Sequence, residues 1–211
     1  MRRFKYPRTR HLPWSPGAGQ DDLFAEGIEP FFGRRVIVTE KMDGENTTLY
    51  SDHIHARSID SRHHPSRNWV KALHGRIAFQ IPEGWRLCGE NLYAVHSIAY
   101  EALPSFFMLF SVWDEHNRCL DWDTTTEWAE LLELRTVPVL YDGVFDRGWF
   151  EDFAFDTDAC EGYVVRLADS FGFDAFGTSV AKWVRKGHVQ TDEHWMHKDV
   201  VPNGLLEETE S

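Results

Sequence analysis

The amino-acid sequence predicts a single domain of the α+β class. Its 211 residues are close to one domain of roughly 150 residues with a small appendage. Segments rich in β-branched and aromatic residues follow one another, with only a few segments of helical periodicity between them. Hydrophobic residues make up 42% and charged residues 27% of the chain, which excludes a disordered, collagen-like or coiled-coil protein. No repeat or linker divides the sequence, so we expect one domain over residues 1–211.

The first half of the chain predicts a lead-in, a strand, a hairpin and a helix, in that order. Residues 1–35 are rich in proline and glycine and predict an irregular lead-in. Its segment HLPWSPG is interpreted as a surface loop, with a packed strap as the alternative. The strand VIVTE follows, and NTTLYSDHIHARS predicts a hairpin with Ser51 and Asp52 at the turn. Ser66 is the expected cap of a short helix. One face of that helix carries Val70, Leu73 and Ile77.

The second half predicts four or five more strands and one helix. WRLCGENLYA and FFMLFSVWD each predict a strand, the second one fully buried. Asp121 caps a helix in which TEWAELLELR places Trp128, Leu131, Leu132 and Arg135 at helical spacing. VPVLYDG predicts a strand or loop that turns at Asp142-Gly143. CEGYVVRLAD and VAKWVRKGHV predict two strands joined by the turn SFGFDAFGTS, and the acidic tail PNGLLEETES is expected to fray.

Charge and cysteine usage restrict the function and the compartment. The formal net charge is −12, whereas proteins that coat nucleic acid are usually basic, so binding of nucleic acid must depend on a local basic site. The three cysteines are odd in number and widely spaced, which argues against a disulfide framework and for a reducing compartment. The sequence has neither an apolar run long enough to span a membrane nor the apolar region of a secretory signal. We therefore expect a cytoplasmic protein without membrane contact.

The most specific chemical pattern is EKMDGE, residues 40–45, directly after the strand VIVT. Lys41 thereby lies at the end of a strand and before an Asp-Gly turn. Three fixed positions of the type K-x-D-G occur by chance in about a few per cent of chains this long. A polar turn with a solvated lysine is the alternative interpretation of this pattern alone.

Other strand-like segments add the groups that phosphoryl chemistry needs. Arg57 lies in HARS, Glu90 in LCGENLYA and Glu161 in CEGYVVR, while AKWVRK contains Lys182 and Lys186. Cations bind phosphate oxygens and stabilise the charge of the transition state. Carboxylates hold a divalent ion of the Mg²⁺ type, and a lysine amine can act as the nucleophile.

The ordered set of segments resembles the covalent nucleotidyltransferases, which include ATP-dependent ligases and mRNA capping guanylyltransferases. It is most similar to ATP-dependent RNA ligases of the RNA ligase 2-like group, from about Thr39 to Lys186. The resemblance implies that Lys41 of KMDG forms a covalent lysyl-AMP. Arg57 of HARS, with Arg62 as a second candidate, would contact nucleotide or phosphate. Thr39 and the adjacent Glu40 are further expected nucleotide contacts.

The remaining motifs complete the implied site. In CGEN, Glu90 would contact the ribose or a metal-bound water, and in FMLFSVWD, Phe110 would stack on the purine. Glu161 of EGYVVR would hold Mg²⁺ or Mn²⁺, with Glu90 as the other implied metal residue. Lys182 and Lys186 of AKWVRK would bind the α-phosphate, although the family often spaces its two lysines as K-x-K.

The resemblance also implies a fold, a reaction and partners. The expected fold is an ATP-grasp-like nucleotidyltransferase domain of two packed antiparallel sheets with flanking helices, and only about 25 residues follow Lys186, so we expect no OB-fold domain. The implied reaction is ATP-dependent joining of 5′-phosphate and 3′-hydroxyl RNA ends, as in RNA repair. The ends belong to a nicked duplex or to single strands, and an end-healing enzyme is the expected partner. The alternatives are a GTP-dependent capping guanylyltransferase and a non-catalytic nucleotide- or nucleic-acid-binding module.

Two further groups of basic residues have open interpretations. The middle of the chain carries a basic stretch, interpreted either as a solvated helix face or as a contact with substrate phosphates. Its members are Arg57, Arg62, His63, His64, Arg67 and Lys71. His188, His194 and His197 have a spacing that supports a zinc site only weakly, because no cysteine lies close by. We interpret these histidines as surface residues or as histidines with hydrogen-bond partners within the fold, and a contact of some of them with nucleic acid is the alternative.

Overall fold

The computed structural model describes residues 2–151, 153, 160–187 and 199–206. In chain order its strands are β1 (Arg10–His11), β2 (Arg35–Glu40), β3 (Glu45–Leu49), β4 (Ile54–Ala56), β5 (Arg86–Asn91), β6 (Phe107–Trp113), β7 (Arg118–Cys119), β8 (Arg135–Thr136), β9 (Val139–Val144), β10 (Gly162–Leu167), β11 (Phe171–Gly172) and β12 (Val180–Val184). Its α-helices are α1 (Asn68–Ile77), α2 (Trp122–Leu131), α3 (Arg147–Glu151) and α4 (Phe176–Ser179). None of these helices has the length and apolar character needed to cross a membrane.

The strands form two sheets, which confirms the predicted α+β class. The first sheet has the order β1-β12-β10-β2-β9, and the second has the order β11-β7-β6-β5-β3-β4 with β8 beside β6. Among the pairings between these strands, β1 with β12 and β6 with β8 are parallel, and the others are antiparallel. The sheets are therefore antiparallel apart from two short additions.

The first sheet has one apolar and one mixed face, because neighbouring residues of a strand point to opposite sides. Val38 pairs with Val165 and Val165 with Ala181, so these three side chains share a face. That face packs against the lead-in and the segment around α3. The cluster contains Leu12, Ile28, Phe31, Val36, Val38, Phe145, Phe150, Tyr163, Val165, Leu167 and Ala181.

The second sheet buries one face under α1 and α2. Val70, Leu73 and Ile77 of α1 are all buried in this core, as their helical spacing predicts. From α2 and its end, Ala129 and Leu132 join the same cluster. The opposite face of the second sheet faces the first sheet.

Contacts between the sheets close one end of the space that separates them. Ile37 of β2 packs in a cluster with Met108 of β6 and Trp122 of α2. Arg166 of β10 donates hydrogen bonds to the carbonyl oxygens of Phe110 at 3.3 Å and Leu120 at 2.8 Å. The rest of the space stays open as a cleft.

Helix starts illustrate how the local predictions fare. Asp121 caps α2 as predicted, because its Oδ1 accepts a hydrogen bond from the Thr124 amide at 2.8 Å. The cap predicted for Ser66 is wrong: a 3-10 turn precedes α1, and the Ser66 amide donates to His64 Nδ1 at 3.3 Å. Arg135, placed on the α2 periodicity by sequence, lies instead in β8.

Three segments expected to be loops are more ordered than predicted. The Asp142-Gly143 pair lies inside β9, and the Gly- and Phe-rich turn before β12 contains β11 and α4. HLPWSPG is the packed strap rather than a surface loop, since Leu12 is fully buried. Residues 199–206 of the tail are anchored by Asn203, whose side-chain amide donates to the Leu92 carbonyl at 2.8 Å. The acidic end of the tail lies outside the described residues.

Candidate active site

A cleft of about 1280 Å³ opens between the two sheets. Its walls come from the mixed face of the first sheet, the facing side of the second sheet and the lead-in segment Lys5–Thr9. Polar and charged side chains are concentrated on these walls, whereas the outer faces of both sheets are packed with apolar residues. The cleft is therefore where the chain exposes its chemistry.

Lys41 projects into this cleft from the end of β2. Its backbone amide donates to the Gly162 carbonyl oxygen at 2.9 Å, which extends the pairing of β2 with β10 by one residue. Its Nζ forms an ion pair with Glu161 Oε1, and the two side chains are 24% and 3% exposed. Lys41 is thus a positioned, half-buried amine and not the solvated turn lysine of the alternative interpretation.

The turn after Lys41 is held by a network around Asp43. Asp43 Oδ2 accepts hydrogen bonds from the Ser97 amide at 2.7 Å, the Ser97 hydroxyl at 2.6 Å and the Ile98 amide at 2.7 Å. The Asp43 amide donates to the Tyr100 hydroxyl oxygen at 2.9 Å. A Cβ on Gly44 would lie 2.6 Å from the Asn91 carbonyl oxygen, so only glycine permits this close approach to β5. The K-x-D-G pattern therefore fixes the direction of the lysine.

A row of paired residues crosses the first sheet beside Lys41. Thr39 pairs with Val164, Val164 with Lys182, and Lys182 with His11 of β1. Burial, and after it the charge of Lys41, lower the pKa of Lys182 to about 8 against the opposing effects of Asp22 and Glu161. The positive charges of Lys41 and Lys182 destabilise each other. A polyanion bound between the two lysines would relieve this repulsion.

The opposite wall carries Glu90 of β5. The Glu90 side chain lines the cleft and is only partly buried, and the pKa of its carboxyl is raised to about 8, chiefly by burial. The Lys41 charge opposes this rise in the pKa of Glu90, while Glu161, Asp43 and Glu45 add to it. A cation near Glu90 would relieve this crowding of carboxylates.

The donor set fits a magnesium-type ion only in a particular way. Among the described residues, no three His, Cys, Asp or Glu side chains are arranged to hold a metal ion. Mg²⁺ usually keeps several waters and takes one or two carboxylates together with substrate phosphate oxygens. Glu161 and Glu90 fit that mode of binding, and the described residues do not form an all-protein cage.

Phe110 reaches the cleft through an irregularity in β6. Cys88 pairs with Ser111 but the next residue, Gly89, pairs with Leu109, so Phe110 is the extra residue of a β-bulge. Its ring meets the Tyr6 ring edge-on at 5.2 Å between centroids. Val164 and Phe171 line the cleft near this pair. This apolar part of the cleft has the character of a pocket for a planar base.

A comparison with known families decides what kind of cleft this is. Residues 34–184, from the start of β2 to the end of β12, match the family model described as RNA ligase. This chain belongs to the RNA ligase family. The match contains Lys41, Glu161 and Lys182, and it leaves out the lead-in before Arg34.

The fold of this RNA ligase family member is similar to that of the RNA ligase of Naegleria gruberi. The structure of that protein with pyrophosphate matches this chain with 22% sequence identity and a TM-score of 0.54. The match covers 74% of this chain and 51% of that chain. The structure of a lysine-to-alanine variant of that ligase with ATP and Mn has 20% sequence identity and a TM-score of 0.52, and the match covers 74% of this chain and 51% of that chain. For a glutamate-to-alanine variant with AMP and Mn, the sequence identity is 19% and the TM-score is 0.53, and the match covers 76% of this chain and 52% of that chain. This chain thus spans about half the length of those proteins, and no curated protein sequence matches it.

The structure brings nearly all of the predicted site residues into the cleft wall. Those that line it are Thr39, Glu40, Lys41, Arg57, Arg62, Glu90, Phe110, Glu161 and Lys182. Glu40 pairs with Tyr163 on the apolar face, and burial raises the pKa of its carboxyl. Lys186 is exposed, lies two residues after β12 and is not part of the cleft wall. Its predicted phosphate contact receives no support from its position.

The basic stretch divides into structural and rim residues. Both Arg67 nitrogens Nε and Nη2 bond to the Glu45 carboxylate, and Nη1 bonds to the Arg62 carbonyl, so Arg67 holds the fold together. Arg62 and His63 are exposed on the rim, where Lys71 Nζ lies 2.7 Å from His63 Nδ1. The histidines at 188, 194 and 197 lie outside the described residues.

Sequence reasoning missed many residues of the cleft wall, and four of them bear on its chemistry. Three of them are Tyr6, Arg8 and Asp22 of the lead-in, which carries no periodic signal and was therefore interpreted as irregular. The fourth is Arg166, within the motif EGYVVR, whose guanidinium is buried and bonded to carbonyl oxygens of both sheets. The sequence carries one signal for the burial of Arg166, which is that this arginine stands among the apolar residues of a strand.

Proposed function

We propose that this chain is the nucleotidyltransferase domain of an ATP-dependent RNA ligase that works through a lysyl-AMP on Lys41. One observation carries the proposal: the Lys41 amine is held by buried Glu161 at the mouth of a cleft that offers a second lysine, Lys182, and an apolar pocket at Phe110. An amine, a cation for phosphate and a surface for a base are the three parts that nucleotide transfer to a lysine requires. Membership in the RNA ligase family supports the same reaction.

The first step joins AMP to the enzyme. The neutral Lys41 amine donates its electron pair to the α-phosphorus of ATP, the bond from that phosphorus to the bridging oxygen breaks, and pyrophosphate leaves with the electrons. The nitrogen then releases a proton to water, which leaves a neutral P–N bond. The Asp43 network and the Gly162 hydrogen bond keep the amine aimed along one direction, and such positioning supplies much of the rate in phosphoryl transfer.

The cations of the cleft stabilise the charge that develops on the phosphate. Lys182 lies one strand beyond Val164 in the row that begins at Thr39, about two strand spacings of roughly 4.8 Å from β2. Because burial already lowers the pKa of Lys182 to about 8, a bound phosphate would restore its full charge. Arg57, which follows β4 on the opposite wall, adds a further cation.

The carboxylates prepare the site for a divalent cation. Glu161 and Glu90 would hold Mg²⁺ or Mn²⁺, and the ion would neutralise charge on the phosphate oxygens and compete with Lys41 for the Glu161 carboxylate. The high pKa of Glu90, about 8, is the mark of a carboxyl that lacks a sufficient counter-charge in the protein alone. These residues account for the metal requirement that we expect.

The later steps use the same cleft on an RNA substrate. The AMP passes from Lys41 to the 5′-phosphate of RNA, and a 3′-hydroxyl then displaces AMP and forms the phosphodiester bond. With a net charge of −12, the chain depends on local cations for this substrate, and Arg57 and Arg62 on the rim are the candidates. The ends lie in a nicked duplex or in single strands, and an end-healing partner enzyme would supply them.

The cytoplasmic location is part of the same proposal. Cys88, Cys119 and Cys160 form no disulfide bond. Free cysteines are typical of a reducing compartment. A ligase that takes ATP as its substrate also needs a compartment that contains ATP.

A labelling experiment tests the proposed function. The purified chain is incubated with ATP or GTP labelled at the α-phosphate, with Mg²⁺ or Mn²⁺, and separated on a denaturing gel. We expect label on the protein from ATP and none from GTP. Label from GTP alone would indicate a capping-type guanylyltransferase, and the absence of label from both nucleotides would indicate a binding module.

A further inference from the structure

The lead-in before β2 forms one wall of the cleft, although it lies outside the family match at residues 34–184. Five consecutive residues, Lys5–Thr9, line the cleft together with Asp22. Two of these lining residues, Lys5 and Arg8, are basic. The lead-in therefore adds positive charge to a site that the family-matched part of the chain already makes cationic.

This wall is a built part of the fold and not a loose end. The Leu12 amide donates to the Lys182 carbonyl at 2.7 Å, and the Gly17 amide donates to the Val184 carbonyl at 2.9 Å. Leu12 is fully buried, and the ring of Tyr6 packs edge-on against Phe110 at 5.2 Å and Phe176 at 5.3 Å. Before the segment, the Phe4 amide donates to the Tyr50 hydroxyl oxygen at 2.9 Å, so Lys5–Thr9 is fixed at both ends.

Arg8 is held in the cleft by Asp22. Arg8 Nη2 lies 3.3 Å from Asp22 Oδ1, and the Arg8 side chain is 48% exposed while that of Asp22 is 7% exposed. Asp22 also lies 3.6 Å from His11 Nε2, and His11 pairs with Lys182 in the adjoining strands. The carboxylate thus links Arg8 to the end of the row that runs from Thr39 through Lys182.

The direction of this row indicates which phosphate Arg8 meets. An in-line displacement expels the leaving group on the side opposite the nucleophile. Lys41 follows β2, whereas Lys182 lies on β12 and His11 on β1, so the row leads away from Lys41. A leaving group expelled from a phosphorus above β10 moves toward β12, β1 and Arg8.

We infer that Arg8, positioned by Asp22, binds the pyrophosphate group of ATP, so that the lead-in adds a leaving-group contact to the cations of the family-matched core. The inference rests on the proposed function, because it requires adenylylation of Lys41. In that step the α-phosphorus gains a bond to nitrogen and loses its bond to the bridging oxygen. Arg8 receives the resulting pyrophosphate as a multiply charged anion through its guanidinium.

The reverse of the first step tests this assignment with the full chain. Purified lysyl-AMP enzyme is mixed with increasing pyrophosphate, and the release of AMP as ATP is followed. In Arg8→Ala we expect the half-saturating pyrophosphate concentration to rise about tenfold or more, and Arg8→Lys should recover part of the loss. Asp22→Asn should raise the same concentration less, because it misplaces Arg8 without removing it.

A neighbouring arginine provides the matched control. Arg10 Nη1 forms an ion pair with Glu26 at 2.7 Å on the same lead-in, and Arg10 does not line the cleft. Arg10→Ala should leave the pyrophosphate dependence unchanged. Thermal unfolding of each variant shows whether it folds, and Arg8→Lys tests the inference should Arg8→Ala unfold.

The second transfer distinguishes the two possible sources of the phosphate. The lysyl-AMP enzyme is given 5′-phosphorylated RNA without pyrophosphate, and the transfer of AMP to RNA is measured. We expect Arg8→Ala to transfer AMP at the wild-type rate. Loss of this transfer with a normal pyrophosphate dependence would assign Arg8 to the RNA end and overturn the inference, as would no change in either reaction. A wild-type chain that forms no lysyl-AMP would instead overturn the proposed function.

Discussion

The two faces of the first sheet are built from alternate residues of the same strands, and they have opposite properties. One face places Val38, Val165 and Ala181 in a closed apolar cluster with the lead-in. The other places Thr39, Val164 and Lys182 on the wall of a cleft, with Lys41 at its end. The period of two in a strand thus lets three strands supply stability and chemistry separately.

The groups that line the cleft are maintained against their own electrostatics. Burial lowers the pKa of Lys182 to about 8 and raises that of Glu90 to about 8. Both shifts mean that folding disfavours the charged form of the group. The apolar face stabilises the sheet that carries Lys182, and Glu90 faces this sheet from β5 of the second one. Substitutions on the two faces should therefore affect activity and stability in opposite ways.

The largest expected effect is on the nucleophile. Lys41→Arg keeps a cation beside Glu161, but a guanidinium keeps its proton and cannot attack phosphorus. We expect formation of the AMP adduct to fall at least about 1000-fold, with a melting temperature close to that of the wild type. Labelling with ATP and thermal unfolding measure the two quantities. Lys41→Ala removes the partner of buried Glu161 as well, so it should also lower the melting temperature.

Removal of the second lysine should give a smaller loss of activity and no loss of stability. Lys182→Met preserves length and removes a charge that stabilises the transition state, so the rate of adenylylation should fall about 100-fold or more. Because the folded-state pKa of Lys182 lies below its usual value, charging this group lowers stability as pH falls from the ordinary lysine value, and the full loss is present below about pH 8. The variant should therefore be as stable as the wild type or more so at pH 7. A lower melting temperature would contradict this account of the cleft.

The apolar face should show the reverse pattern. Val165→Ala removes two buried methyl groups from a fully buried position and should cost about 2–3 kcal/mol of unfolding free energy. At a temperature where the variant stays folded, the yield of AMP adduct should equal that of the wild type. Denaturant unfolding and labelling measure the two. A loss of labelling in folded protein would show that the two faces are not separable.

The smallest expected effect is on the pH dependence of stability. The folded-state pKa of Glu90 is raised to about 8, so the folded state holds this proton where the unfolded state has released it. Stability is then lost as pH rises from the ordinary glutamate value through about 8. Glu90→Gln should remove this loss and gain about 1–2 kcal/mol at pH 8, less than full linkage because water reaches the carboxyl. Denaturant unfolding between pH 5 and 9 measures it.

A surface glutamate gives the control for that series. Glu127 is exposed on α2, so Glu127→Gln should leave the pH dependence of stability as it is in the wild type. If the unfolding free energy changes equally with pH in Glu90→Gln and in the wild type, Glu90 is an ordinary solvated carboxyl.

Local patterns allowed much of the fold to be predicted, and motif order allowed most of the site. The α1 face of Val70, Leu73 and Ile77 and the cap at Asp121 follow from periodicity and cap chemistry. Turn chemistry misled at Asp142-Gly143, because pairing of β9 with β2 overrides the local turn preference. Tertiary context outweighs such preferences whenever a strand completes a sheet.

The lead-in could not be predicted for a related reason. Tyr6 and Arg8 reach the cleft because β1 adds to β12, at the far end of the chain. That pairing joins residues more than 150 positions apart, and a proline- and glycine-rich segment gives no periodic signal for it. For Lys186 the motif predicted a phosphate contact, but β12 ends before this residue and its side chain is exposed.

The most direct test of the central claim is the mass and position of the adduct on the full chain. Purified protein is incubated with ATP and Mg²⁺, its intact mass is measured, and the modified peptide is sequenced by fragmentation. We expect the mass of one added AMP, located on Lys41 and absent from Lys41→Arg. An unmodified protein, or AMP located on another residue, would contradict it.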